Sequence, residues 1–140
     1  MISAIVAVTV FGLVFSLIVL FARDGGPAPA DIAVSYELAW DRLDFDTLWT
    51  LSGDELRDGL DKRAYTTAKS AAYAGRTDLG GLAQRVDVEE ATVGIGYAMV
   101  RTGVTLHGGE TIHNDVALIK RNSSWVVTGY ELAPDPSRPV

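Results

Sequence analysis

Val116-Ala117-Leu118-Ile119-Lys120-Arg121-Asn122-Ser123-Ser124-Trp125-Val126-Val127 reads as two β-strands folded back on each other. Asn122-Ser123 suits a two-residue hairpin turn, and β-branched and aromatic residues crowd both sides of it. Arg121 then faces Ser124, which sets the register of a strand from Glu110 to Lys120 against one from Ser124 to Leu132. Upstream, Gly108-Gly109 is a second hairpin signal, and the strand before it runs from Tyr97 to Leu106. Gly94-Ile95-Gly96 turns the chain again. The first strand starts near Gln84, and its alternation slips at Glu89-Glu90, the mark of a bulge. Four strands joined by short turns predict an antiparallel meander.

Before the meander the apolar spacing is helical. Asp31 is a candidate N-cap for a helix ending near Arg42, with Ile32, Val34 or Ser35, Leu38 and Leu43 on one stripe and Tyr36 and Trp40 beside it. Asp44 or Asp46 caps a short second helix carrying Phe45, Leu48, Trp49 and Leu51. Ser52 and Glu55 have capping-box spacing for a third helical stretch, through Leu56, Leu60, Ala64, Ala68 and Ala71-Ala72 to a stop at Gly75. Gly59 and Asp61 are points where that stretch can break, and its alanine face predicts close approach to a neighbour. Helices first and strands afterwards give an α+β layer, about three helices on one face of a curved four-stranded sheet.

Ile2 to Ala22 holds no charged residue and stops at Arg23-Asp24. As a helix it is about 30 Å long, the thickness of a bilayer's hydrocarbon core. The expected organisation is a transmembrane anchor over 1–23, a Gly/Pro/Ala linker over 24–30, a domain over 31–133 and a tail over 134–140. A cleaved secretory signal is the competing reading, with Ala28-Pro29-Ala30 as its cleavage site. The run is long for such a signal and has no basic residue before it. The chain is thus expected in the cell membrane as a single-pass signal-anchor protein, with the bilayer as partner through Ile2 to Ala22. Arg23 favours a cytoplasmic domain, and the free amino terminus nearly offsets it. The net charge of −6 over 140 residues, without a Lys/Arg cluster, speaks against nucleic acid. Cysteine is absent, which suits either redox compartment.

Tyr36-Glu37-Leu38-Ala39-Trp40, then Leu43-Asp44-Phe45-Asp46-Thr47-Leu48-Trp49, then the hairpin from Val116 to Val127 together resemble the nuclear transport factor 2-like superfamily. That superfamily is a curved α+β cone shared by ketosteroid isomerases, polyketide cyclases, limonene epoxide hydrolases and many non-catalytic binding domains. The resemblance covers Asp31 to Leu132 as element order and loose pattern. It implies a fold and leaves function open. Isomerase-like members carry a Tyr on the first helix and carboxylates on strands, places held here by Tyr36 and Asp115 without a flanking motif. The Asp-Arg-Asp set of epoxide hydrolase-like members is not matched, because Arg101 is expected on the face away from Asp115.

If both later hairpins have two-residue loops, the helix-covered face gathers Thr102, His113, Asp115 and Tyr130 among apolar residues. Tyr36, Thr102, Asp115 and Tyr130 then form a ligand pocket. In an apolar cavity Asp115, His113 and Tyr130 suit acid–base chemistry, since burial raises an Asp pKa. The competing reading is a satisfied polar cluster. His107 and His113 lack metal-ligand spacing, and neither a metal nor a cofactor is expected. The opposite face collects Met99, Val116, Leu118, Trp125 and Val127, rimmed by Arg101, Lys120 and Glu131. Its apolar centre and charged rim predict a partner surface, for a homodimer or another membrane-complex protein, unless a loop or the tail covers it. Two functions follow. One is a membrane-tethered, non-enzymatic binding or assembly domain working through the outer sheet face. The alternative is a small acid–base enzyme, an isomerase, cyclase or hydrolase, acting on an apolar small molecule in the cone.

Overall fold

A computed structural model describes residues 26–134. The Ile2–Ala22 run and the tail beyond Pro134 lie outside these residues. Among the described residues no helix is long and apolar enough to cross a membrane. Four antiparallel strands, β1 (Ala83–Val93), β2 (Tyr97–Leu106), β3 (Thr111–Arg121) and β4 (Ser124–Leu132), lie in the order β1-β2-β3-β4. Asn122 and Ser123 take φ of 50° and 66° and pair Arg121 with Ser124, the expected two-residue hairpin. The bulge expected at Glu89-Glu90 falls between Val88 and Glu90.

Two one-residue slips decide which side chains share a face. The β2–β3 connection holds three residues, His107-Gly108-Gly109, instead of two. The Leu106 N–H donates to the Glu110 carbonyl at 2.8 Å, and Gly109, at φ 92°, donates back to the Leu106 carbonyl at 2.9 Å. Thr102 therefore pairs with Asn114, and Arg101 with Asp115. Because side chains alternate along a strand, this one residue carries all of β3 to the face opposite the expected one. The second slip is a bulge in β4: Ala117 faces Gly129 while Leu118 faces Val127, leaving Thr128 unpaired. It reverses the first slip for the residues beyond it, so Tyr130 lies on the same side as Thr102. The helix-covered face is Ala98, Val100, Thr102, Asn114, Val116, Leu118 and Val127, all buried.

The helices are α1 (Pro29–Asp41), α2 (Phe45–Leu51) and α3 (Lys62–Tyr73), with 3-10 turns at Asp54–Leu56 and Thr77–Leu79. α1 starts two residues before the expected domain boundary. Ala28, not Asp31, is its N-cap; Pro29 fits the first turn because its missing N–H would have no helical partner, and Asp31 sits in the first turn, where the helix dipole favours a carboxylate. α1 buries Ile32, Ala33, Tyr36, Glu37 and Ala39. Its end is a Schellman turn, Asp44 N–H to Ala39 carbonyl at 2.8 Å and Leu43 N–H to Trp40 carbonyl at 3.0 Å, with Leu43 at φ 53° where glycine is usual. Asp44 caps α2 through the Thr47 N–H at 3.2 Å and the Thr47 hydroxyl at 2.7 Å.

The Ser52–Glu55 capping box does not form. The Ser52 hydroxyl donates to the Leu48 carbonyl at 2.6 Å, and Glu55 turns to Arg121. Asp58 and Gly59, at φ 57° and 69°, break the chain, and Asp61 caps α3 through the Ala64 N–H at 2.8 Å. The alanines of α3 face solvent, contrary to expectation. Tyr65 is the residue it buries, with Tyr73 half-buried against the core, because two aromatic rings remove more apolar area from water than a row of methyl groups.

Arg121 donates to both Glu55 oxygens, at 2.6 and 2.7 Å, and these hydrogen bonds lower the Glu55 pKa to about 2. A carboxyl group lowered on folding adds stability above its ordinary pKa, and that stability is lost as pH falls toward the lowered value. The expected result is a loss of stability between about pH 4.5 and 2 that is shallower in Arg121→Ala. Thermal melts at pH 6 and pH 3 check this; parallel losses in the two proteins would count against the pair.

Candidate functional site

Two residues past the middle of α1, Glu37 points at the sheet and is 5% exposed. Its Oε1 accepts from the Thr102 hydroxyl at 2.7 Å and the Asn114 side-chain amide at 2.9 Å, and its Oε2 accepts from the Tyr130 hydroxyl at 2.6 Å. The Asn114 amide also donates to the Tyr130 oxygen at 3.1 Å. A carboxylate is tolerated in an apolar interior only when such donors replace its water. Burial, and then the charge of Glu37, raises the Tyr130 pKa, so the phenol stays a donor. Tyr36, whose ring meets that of Tyr130 edge-on at 5.0 Å, is likewise raised by burial.

Glu37, Asn114 and Tyr130 of this cluster line the floor of an open pocket of about 310 Å³, with Thr102 and Tyr36 outside the lining. The walls come from Trp40 and Leu43 of α1 and its end, Tyr73 of α3, Leu79 and Leu82 before β1, Val104 and Leu106 of β2 and Ile112 of β3. Asp41 shapes one side, accepting at Oδ1 from the Leu82 and Ala83 N–H groups at 2.8 and 2.9 Å, which ties the end of α1 to the start of β1. Leu79 and Leu82 are 36% and 45% exposed, giving the mouth an apolar lip. The buried indole Nε1 of Trp40 has no hydrogen-bond partner among the described residues. Glu37 and Asp41 are the charged residues of the lining, which has no Lys, Arg or His. No group of His, Cys, Asp or Glu able to hold a metal occurs among the described residues.

Of the expected pocket residues, Tyr36, Thr102 and Tyr130 lie on the helix side. Asp115 does not. It lies across the sheet, paired with Arg101 at 2.9 and 3.2 Å, the two residues expected on opposite faces. His113 shares that open face and bonds the Glu89 carboxylate. The acid–base set Asp115, His113 and Tyr130 is therefore divided between two faces. The expected partner strip is divided too. Val116, Leu118 and Val127 are buried under the helices, Trp125 packs partly buried against the same core, and Met99 alone is exposed, at 42%. The cause in both cases is the third residue of the β2–β3 loop. Glu37, Asp41 and Asn114 went unnoticed in the sequence. The available signal was Glu37 on the same stripe as Ala33 and Trp40, where a solvated glutamate does not belong.

A proposed nuclear transport factor 2-like transpeptidase from Campylobacter jejuni superposes with a TM-score of 0.52 at 20% identity, covering 71% of this chain and 95% of that one. The fold is nuclear transport factor 2-like. A SEC-C motif containing protein from Rhodopseudomonas palustris superposes with the same TM-score of 0.52 at 17% identity, over 76% of this chain and 80% of that one. A hypothetical protein with a ketosteroid isomerase-like fold from Catenulispora acidiphila is more distant, with a TM-score of 0.43 at 14% identity, over 79% of this chain and 89% of that one. No protein-family model and no curated protein matches the chain. At these identities the nuclear transport factor 2-like likeness establishes the fold and leaves activity to the site.

Proposed function

We propose that the protein is a membrane-tethered, non-enzymatic binding domain, anchored by Ile2 to Ala22, whose pocket takes a small, neutral, largely apolar molecule. The observation that carries this reading is the state of Glu37. Both of its oxygens already accept from protein donors, at the floor of a pocket with apolar walls. A general base needs a carboxylate oxygen within reach of the substrate's proton, and here Thr102, Asn114 and Tyr130 stand around both. The volume matches the lower end of small-molecule sites, about 300 Å³. Two carboxylates without a basic residue in the lining disfavour an anion and favour a neutral ligand. The binding function proposed for the outer sheet face thus moves to the helix side. Tethering would raise the effective concentration of the domain toward partners held at the same membrane.

A pair of probes that differ in one charge tests the reading. The full chain in lipid nanodiscs is titrated with 2-naphthamide and with 2-naphthoate while the methyl NMR signals of Val104, Leu106 and Ile112 are followed. The amide is expected to shift these signals saturably, and the carboxylate to bind at least about tenfold more weakly, a difference of about 1.4 kcal/mol. Ile112→Trp, which fills the pocket, should abolish the response. Silence toward both probes would sink the pocket as a ligand site, and tighter binding of the carboxylate would sink its charge preference.

A further inference from the structure

We propose that the tip of the β1–β2 hairpin is a second membrane contact, resting in the headgroup layer of the bilayer that holds the anchor. The inference depends on the anchor reading of Ile2 to Ala22. From Ala91 to Val100 the chain carries no charged residue. Within that stretch Val93 is 56% exposed, Ile95 fully exposed and Tyr97 55% exposed, which is more apolar surface than a hairpin tip in water needs. Gly94 lets the Tyr97 ring fold across the turn, since a Cβ there would meet the ring at 2.5 Å. Beside the tip, the Lys120 N–H donates to the Gly96 carbonyl at 3.0 Å, placing an exposed lysine at its edge. Apolar side chains, a tyrosine and a neighbouring lysine are the composition that settles at a lipid interface.

The direction of α1 places this tip on the anchor's side. Its C-terminal Asp41 is tied to Leu82 and Ala83 at the start of β1, and Glu37 sits over Thr102 and Asn114 at mid-sheet. Continuing the same way, its N-terminal Pro29 lies toward the end of the sheet that carries the β1–β2 turn. Residues 23–28 separate Ala22 from Pro29, a reach of at most about 25 Å. A short tether from Pro29 thus leads to the anchor on the side of the sheet that carries the tip, while the pocket lies at the C-terminal end of α1, the opposite side. Lipid fits this surface better than a second copy does, because three or four side chains at a hairpin tip fall far short of the roughly 800 Å² per partner of a stable protein interface.

The chain has no cysteine, so Ile95→Cys and Gly108→Cys each offer a single labelling site, at opposite ends of the sheet. Each is labelled with a nitrobenzoxadiazole fluorophore in the full chain and reconstituted into phosphatidylcholine–phosphatidylglycerol vesicles containing shallow doxyl-labelled lipid. Quenching at position 95 should exceed that at position 108 by at least about threefold, with a blue-shifted emission at 95. Equal, weak quenching at both positions in chains that float with the vesicles would overturn the tip contact while sparing the anchor. A blue shift at 95 without quenching, together with disulfide-linked dimers of unlabelled Ile95→Cys, would assign the tip to a second copy and also overturn it. Chains that are stripped from the vesicles by carbonate would remove the anchor reading, and the tip contact with it.

Discussion

Glu37→Ala will lower the folding stability of the domain by about 3–5 kcal/mol, from buried donors left without an acceptor and from the space left under α1. The substitution takes away the acceptor of the Thr102 hydroxyl, the Asn114 amide and the Tyr130 hydroxyl at once. Asn114 and Tyr130 keep each other at 3.1 Å, and Thr102, fully buried, keeps nothing on that side. An unsatisfied buried donor costs about 1–3 kcal/mol, and the missing methylene and carboxylate leave a cavity under α1. Glu37→Gln separates charge from shape. It retains an acceptor for Thr102 and Asn114 but presents an amide to Tyr130, which must rotate its hydroxyl to accept, so a loss of about 1–2 kcal/mol is expected. Chemical denaturation of the full chain in detergent, followed by tryptophan fluorescence, measures both. An alanine variant within about 1 kcal/mol of the parent would mean that the cluster does not hold α1 to the sheet.

The strand boundaries were legible because turn chemistry and β-branched runs agree. Tyr97–Leu106 and Ser124–Leu132 are as expected, and β3 is displaced by one residue. Asp44 was legible as a cap for the same local reason. Register was not. Gly108-Gly109 satisfies a two-residue loop and equally a three-residue loop whose last residue needs positive φ, and local preference cannot choose between them. The Thr128 bulge is marked only by Gly129 beside it, which a Cβ would bring to 3.3 Å from that of Ala117. Tyr130 was placed on the correct side because the two slips cancel there. Asp115 and the strip from Val116 to Val127, lying between them, were not.

The same arithmetic explains why the polar cluster was sought in Asp115 when its carboxylate comes from Glu37. With β3 shifted by one residue, Asn114 takes the inward place, and an amide there is a donor that requires an acceptor from above. α1 supplies it. Glu37 is the complement of three sheet side chains far away in sequence. Such pairings are set by tertiary approach, which periodicity along one element does not report.

Leu118→Asp should abolish cooperative folding, whereas Met99→Asp should change stability by no more than about 0.5 kcal/mol. The two residues were expected side by side on one apolar strip, and the observed register separates them completely. Leu118 is 1% exposed, between Ala98 and Val127 under the helices; Met99 is 42% exposed, on the other face beside Ala117. Among the described residues no Lys or Arg is buried to pair with an aspartate at Leu118, and burying an unpaired carboxylate costs more than the roughly 5–15 kcal/mol by which a domain is stable, unless the chain opens or the group takes up a proton. Leu118→Ala keeps the comparison informative if the aspartate variant cannot be obtained folded. It removes buried methylenes without adding charge and is expected to cost about 2–5 kcal/mol. Far-UV circular dichroism and denaturant midpoints of the full chain in detergent read all three. Equal tolerance of aspartate at both positions would restore the two-residue loop, return Asp115 to the helix side, and dismantle the Glu37 cluster together with the pocket above it.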